Sequence, residues 1–450
     1  MQNTESSGAR LRTRLLGLLN PKAAADSLTR GVLWSFVLSG AGTALSYGLH
    51  VFLARRLGAA DYGRYTYAMG WMNIAQLVVS FELGIVALRF LGAYRAQGEW
   101  GLIHGLLRRS RAVILVAWLA CLALLSIVLG LWHWTIDPDV QRAFLAAALV
   151  LPVAALLQLE GKFLLGFDRP LDARIPFDVV RPLLVLGLFA LIVAGGRDAQ
   201  AWEAVAANGV GALVALVISV VLFRRIIPKE ITEAPPQYDM ANWTRTALTL
   251  FAISSFQLII SQQSDVVILG LLRDTTRAGW YSAASQLATL VGIVASISGD
   301  VAAARIAARY TAGDRAGLRN VIQRVALLNV AIALPILLFL VFAGRPLLRI
   351  YGSSFVLAYP VLWRLGLSQL IAASIGSLGG VVLAMTGKQR LAAPYIMGSA
   401  VLNLVLTLWW TPAFGMIGTA EATLAAVAVR ALMVFWLVRR HVGVVLRPGW

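Results

Sequence analysis

The chain has 450 residues, 59% of them hydrophobic and only 13% charged, with a mean hydropathy of +0.77. That balance excludes an ordinary soluble domain. The formal net charge of +18 would suit a nucleic-acid partner, but its placement along the chain excludes that role, and a lone Cys121 excludes disulfide and thiol–metal frameworks.

The first thirty residues carry a basic stretch, Arg10-Leu11-Arg12-Thr13-Arg14-Leu15-Leu16, whose apolar part is too short for a signal peptide. It reads as an amphipathic segment on the cytoplasmic face, or as a frayed tail. Apolar stretches of about twenty residues, enough to cross a bilayer core, then follow one another. In the first half they lie near 31–53, 65–88, 111–133, 143–166, 177–196 and 202–223. A polar linker at 224–243 separates them from 246–271, 280–303, 321–342, 360–385, 391–411 and 415–438. The predicted fold is an all-α polytopic membrane protein of about 12 transmembrane helices. Its units are a cytoplasmic N-terminal segment (1–30), two six-helix bundles (31–223 and 244–438) and a cytoplasmic tail (439–450).

Residues 39–108 recur without gaps at an offset of 216. Arg89-Phe90-Leu91-Gly92-Ala93-Tyr94 falls on Arg305-Ile306-Ala307-Ala308-Arg309-Tyr310, Gly63 on Gly279, Tyr65 on Tyr281 and Arg108 on Arg324. Six spans per half make the copies parallel repeats about an axis along the membrane normal, an architecture that lets two halves rock around a shared site. With both termini placed in the cytoplasm, 27 Lys and Arg fall on that side, 9 on the other, and Arg181, Arg364 and Arg430 within spans. The bias fits the positive-inside rule, so the excess charge sets topology and meets anionic headgroups of membrane lipids. No nucleic-acid partner is expected.

Ionisable groups inside spans are costly and mark a cavity or a partner helix. Arg181 follows Asp178 by three residues, on one helix face if the helix is regular. It is either half of a self-neutralising pair, disturbed by Pro176 and Pro182, or a phosphate-binding fork oriented by that carboxylate. Arg364 opens the tenth span, either snorkelling to headgroups or facing the cavity with Ser368. Arg430 and Glu421 do not share a face of the twelfth span, so each needs a partner from another helix. Ser254, Gln257, Ser261 and Asp265 form a polar stripe at helical spacing, matched more weakly by Asn73, Gln76 and Ser80. Glu82, Glu160 and Asp300 are carboxylates near span ends; Glu82 and Asp265 are the candidates for carrying a coupling proton or sodium ion. Arg89 and Arg305 either set topology or form a vestibule that gathers an anionic headgroup. His50, His104, His133 and His441 have no ligand spacing. No HExxH, Walker or GxSxG motif occurs, so neither a cofactor nor enzymatic activity is expected.

The stretch Phe52-Leu53-Ala54-Arg55-Arg56-Leu57-Gly58-Ala59-Ala60-Asp61-Tyr62-Gly63-Arg64-Tyr65 resembles the first loop of bacterial polysaccharide flippases of the O-antigen type, within the multidrug/oligosaccharidyl-lipid/polysaccharide exporter superfamily. Ser264-Asp265-Val266-Val267-Ile268-Leu269-Gly270, Ala278-Gly279-Trp280-Tyr281, Gly387-Lys388-Gln389-Arg390, Asn403 and Pro412-Ala413-Phe414-Gly415 extend the likeness along nearly the whole chain. The resemblance implies two six-helix bundles in a V around a central cavity. It further implies movement of an undecaprenyl-pyrophosphate-linked glycan from the cytoplasmic to the periplasmic leaflet of the inner membrane. A polysaccharide polymerase and a chain-length regulator are further partners it implies. Export of drugs or organic cations, the activity of a sister group, is the alternative.

Overall fold

The structure, a computed structural model, describes residues 21–442 apart from 133–136, 197 and 260–261. The basic segment at 10–19, Ser261 and most of the tail at 439–450 therefore lie outside the described residues. Everything described is helix or short connection.

Twelve rods follow in chain order. The helix Pro21–Ser80 is divided at Gly58 (φ 72°, ψ 179°) into α1 (21–57) and α2, which begins at 59. α2 breaks at Phe81 and Glu82 and resumes as Leu83–Gln97. α3 is Trp100–Trp132 and α4 is Pro138–Gly166. α5 runs from Pro170–Arg174 through a π-helical turn, Ile175–Val180, into Arg181–Ala194. α6 is Ala201–Ile226. A short helix, Lys229–Glu233, sits in the linker. α7 consists of Met240–Ile259 and Gln262–Leu272, bent by 58°. α8 is Thr275–Thr311 and α9 is Arg315–Tyr351. α10 spans Tyr359–Ile371 and Ser377–Met385 with a π-helical turn, Ala372–Gly376, between them. The helix Gln389–Val442 is divided at Gly415 (φ 60°, ψ −141°) into α11 (389–414) and α12 (416–442).

Only glycine takes such backbone angles without strain; Gly58 turns the chain within the charged stretch Arg55 to Arg64, whereas no charged residue announces the boundary at Gly415. Among the described residues seven helices are long and apolar enough to cross a membrane, or nine if each bent pair is one span. Division at Gly58 and Gly415 accounts for two more. α8 carries an apolar stretch of spanning length as well, after Ser282, Ser285, Gln286 and Thr289, which line a cavity.

α1–α6 and α7–α12 form two lobes. In the first, α4 packs along α6 and against the base of α2; in the second, α8 packs along α9 and α10. The lobes meet chiefly where α1 and α2 face α8. At the end where the α1–α2 and α7–α8 turns lie, that meeting is backbone to backbone. A Cβ on Gly63 would stand 1.9 Å from the Thr275 carbonyl oxygen, and one on Gly279 would stand 2.8 Å from the Gly63 Cα. The two glycines are repeat equivalents facing each other across the pseudo-two-fold axis. The turns themselves differ in chemistry: the equivalent of Gly58 is Asp274, whose side chain caps α8 by accepting from the Arg277 N–H at 2.8 Å.

At the other end the linker lies on the first lobe. Gln237 N–H donates to the Gly101 carbonyl at 2.9 Å, His104 Nδ1 lies 2.8 Å from the Ala234 carbonyl, and buried Trp243 donates its indole N–H to the Tyr94 hydroxyl at 3.0 Å. A Cβ at Gly105 would lie 1.7 Å from the Gln237 carbonyl oxygen. Gly105→Val is therefore expected to push the linker off its seat, destabilising the protein by about 1–3 kcal/mol as overpacked sites do. A lowered midpoint of thermal unfolding, followed by tryptophan fluorescence in detergent, would register it; an unchanged midpoint would show that the linker is not held there. On the same side Asp314 caps α9, accepting from Gly317 N–H at 2.7 Å. That bond and the Arg309 guanidinium hold its carboxyl below the usual range.

Candidate functional site

Two polar chambers lie between the lobes and share Asn73 of α2. The first, about 350 Å³, is lined by α1, α2, α5, α6, α7 and α8. The second, about 370 Å³, is lined by α2, α3, α4 and α7. The weaker sequence stripe, Asn73, Gln76 and Ser80, runs along the wall of the second chamber, joined there by Ser254 and Gln257 from α7. Asn73 Nδ2 donates to Gln263 Oε1 across the lobes at 3.2 Å, and Gln76 Nε2 to Gln158 Oε1 at 3.0 Å. Amide side chains suit such a path: they hydrogen-bond to hydroxyls in either sense and carry no charge.

Arg181 reaches the first chamber half-buried. Its Nε donates to the Asn208 Oδ1 at 2.9 Å, and its guanidinium stands 5.2 Å from the Phe177 ring centroid. The expected Arg181–Asp178 pair is not formed. Asp178 lies instead 3.8 Å from Arg174, with its Cβ against Gly42 of α1. The cause is local: the π-helical turn over Ile175–Val180 widens the helix just where Pro176 and Pro182 remove backbone donors, so residues three apart no longer share a face. Among the described residues no carboxylate is within ion-pair distance of Arg181, which leaves a positive charge held by a neutral amide.

Arg364 is different. Its Nε donates to Glu421 Oε1 at 3.0 Å, its Nη1 to the Pro360 carbonyl at 2.8 Å, and its guanidinium lies 4.4 Å from the Trp363 ring centroid. It is a neutralised tie between α10 and α12, and it supplies the partner that Glu421 required from another helix. Ser368 is buried and donates to the Leu365 carbonyl within its own helix. Arg430 is half-buried in α12 and lines neither chamber; Arg89 and Arg305 are exposed at the linker ends of α2 and α8, also away from both.

The stronger stripe is divided by the bend in α7. Ser254 and Gln257, before the bend, line the second chamber. Asp265, after it, turns into the second lobe and is fully buried. Its Oδ2 accepts from Tyr281 OH at 2.6 Å and Thr423 Oγ1 at 2.7 Å. Among the described residues Oδ1 makes no hydrogen bond of ordinary geometry, although the Asn403 side chain lies near it, and the Asn403 Oδ1 and Thr407 Oγ1 of α11, both buried, have no partner there either. A buried acceptor without a donor is costly. A buried carboxylate with one oxygen unsatisfied suits a proton or a small hard cation. Glu82 lines the second chamber beside Lys162, in left-handed backbone (φ 56°). Glu160 faces away from the path and pairs with Arg111, and the side chain of Asp300 is not among those described.

The fold brings His50 and Asn208 to the first chamber and sets Tyr47 beside it, none of them marked for a site by the sequence. His50 lies within 3.2 Å of the Tyr62 hydroxyl, Asn208 holds Arg181, and Tyr47 donates to the Gln286 carbonyl at 2.5 Å, tying α1 to α8. Nothing in the local sequence marks them, because each partner is more than ten residues away.

Residues 28–304 match the model of a family described as "Polysaccharide biosynthesis protein". The chain is 23% identical over 419 residues to the "Probable low-salt glycan biosynthesis flippase Agl15" of Haloferax volcanii, covering 90% of this chain and 82% of that one. It is 26% identical over 361 residues to the "Uncharacterized membrane protein EpsK" of Bacillus subtilis, covering 74% and 66%. Among solved structures it is similar to an inward-facing multidrug resistance MATE family transporter of the MOP superfamily (TM-score 0.72, 12% identity, 89% of this chain and 94% of that one). It is also similar to the lipid II flippase MurJ in an inward closed conformation (TM-score 0.70, 15% identity, 90% and 87%).

Proposed function

We propose a function from one premise: the chain belongs to the polysaccharide biosynthesis protein family. It is a flippase that carries an undecaprenyl-pyrophosphate-linked oligosaccharide unit across the cytoplasmic membrane by alternating access, for assembly of a surface polysaccharide. Both termini lie in the cytoplasm, the first bundle ends near 223 and the second near 438. A polymerase and a chain-length regulator take up the delivered unit.

The observation that carries this reading is Arg181. Its guanidinium has no ion pair among the described residues, in a chamber lined mainly by amides, hydroxyls, rings and aliphatic groups and holding one carboxylate, Asp178, which is turned to Arg174; that arrangement is matched to a diphosphate attached to a sugar. An organic cation would meet the Arg181 charge there. Arg364, tied to Glu421, serves as a strut rather than a substrate ligand. Arg430, Arg89 and Arg305 act outside the chambers, the last two as headgroup contacts at the cytoplasmic entrance. Gln257 lines the route with Gln76 and Gln158; Glu82 guards its cytoplasmic portion.

The deciding experiment offers proteoliposomes a fluorescent undecaprenyl-pyrophosphate-sugar and a fluorescent organic cation. Movement of the lipid-linked sugar alone supports the flippase. Movement of the cation alone would replace it with drug export, the activity named for the first of the structural neighbours.

Asp265 is the coupling site in this reading, and Asp265→Asn removes its charge with little change in volume. We expect the variant to fold and to flip at a rate that no longer responds to an imposed sodium or proton gradient. A variant that followed the gradient as the wild type does would exclude Asp265 from coupling.

A further inference from the structure

On the outer side of the first lobe, α3 and α6 flank α4 and leave a groove of about 380 Å³. Leu115, Leu156, Leu216 and Val220 make it apolar along its length, while Arg111 and Arg224 stand at the end beneath the linker, where Thr232 closes it. α4 keeps the groove apart from the polar path: Ala155, Gln158, Leu159 and Lys162 face the second chamber, whereas Leu156 and Glu160 face the groove.

The arginine end is built rather than incidental. Glu160 is 1% exposed and accepts from Arg111 Nε at 2.6 Å and Nη2 at 3.0 Å. The same guanidinium lies 5.3 Å from the Phe163 ring centroid and 5.7 Å from that of Phe223. Its position is therefore fixed by three groups, with Nη1 left out of the carboxylate pair. One carboxylate stands against two guanidiniums, so the end of the groove keeps a net positive charge. An apolar channel that ends in fixed positive charge at headgroup depth is complementary to an acyl chain ending in an anionic phosphate.

We propose that this groove is a binding site for one anionic phospholipid of the surrounding bilayer. Its chain lies between α3 and α6 and its phosphate is held by Arg224 and the free edge of Arg111. The bound lipid wedges α3, whose apolar window is only 11% buried by protein, against α6 and the linker. The site is distinct from the route of the transported molecule, and the proposal does not depend on what that molecule is.

Native mass spectrometry of the full chain, titrated with dioleoyl phosphatidylglycerol and with dioleoyl phosphatidylcholine, tests it. The wild type is expected to retain one phosphatidylglycerol at about fivefold higher occupancy than phosphatidylcholine, as one or two surface arginines allow. Arg224→Gln should bring the two lipids to near-equal occupancy, and Val220→Trp, which fills the groove, should lower both. Arg111→Gln combined with Glu160→Gln removes the built end without orphaning a buried charge and should act like Arg224→Gln. Equal occupancy of the two lipids in the wild type would overturn the proposal. So would a preference for phosphatidylglycerol that survives these substitutions.

Discussion

Arg181→Ala should lower translocation of a lipid-linked sugar diphosphate by about ten- to hundredfold, the equivalent of losing one or two charge-assisted hydrogen bonds of ~1.5–3 kcal/mol. Arg181 is the cation of the first chamber and has no carboxylate ion pair among the described residues, and Asn208 accepts from its Nε, which leaves the two terminal nitrogens available. Arg181→Lys should fall between wild type and Ala, because a lysine keeps the charge but loses the planar fork and its seat on Phe177. Arg364→Gln should do much less to the rate of flipping, since its loss releases Glu421, a side chain already 40% exposed. Initial rates in proteoliposomes, normalised to reconstituted protein, separate these cases. An Arg181→Ala rate near that of the wild type would end the diphosphate-fork reading.

Gly63→Leu should have an effect of the same order for an unrelated reason. No side chain fits between α2 and Thr275, where even a Cβ would overlap backbone atoms. The lobes of the variant cannot close at the end where the α1–α2 turn lies, so the cycle stalls with that end open. Transport should fall more than tenfold while the protein remains folded, since the packing of α4 on α6 and of α8 on α9 is left untouched. Single cysteines introduced at Ser282 or Ser285, which line the first chamber, should then react with a membrane-impermeant thiol reagent from that side. Labelling no faster than in the parent would show that the glycine contact does not seal the chamber.

Much of this architecture was legible from sequence because lipid forces a simple grammar: about twenty apolar residues per span, and charge kept to one side. The repeat was legible too, and its Gly63/Gly279 pair proved to be a contact rather than a parallel between distant places. Three things were not. Gly415 turns the chain with no charged residue nearby, so hydropathy places the boundary there but not the turn. The polar stripe of α7 reads as one face only if the helix is straight, and the 58° bend sends Asp265 into the lobe while Ser254 and Gln257 stay at the path. Helical spacing likewise predicted an Arg181–Asp178 pair that the π-helical turn undoes. In each case the sequence rule assumed a regular helix, and the site lies where the helices are irregular.

The break in α2 concerns how alike the two halves are. Phe81 and Glu82 both occupy left-handed backbone (φ 46° and 56°), at a cost of order 1–3 kcal/mol each. The repeat-equivalent stretch of α8 is uninterrupted helix. Ancestral duplication would have left both arms articulated or both straight, so this joint was gained or lost by one copy alone. The halves are consequently no longer interchangeable. A chain assembled from two copies of the second half would retain the facing glycines yet have no elbow, whereas two copies of the first would have elbows on both arms and no Asp265.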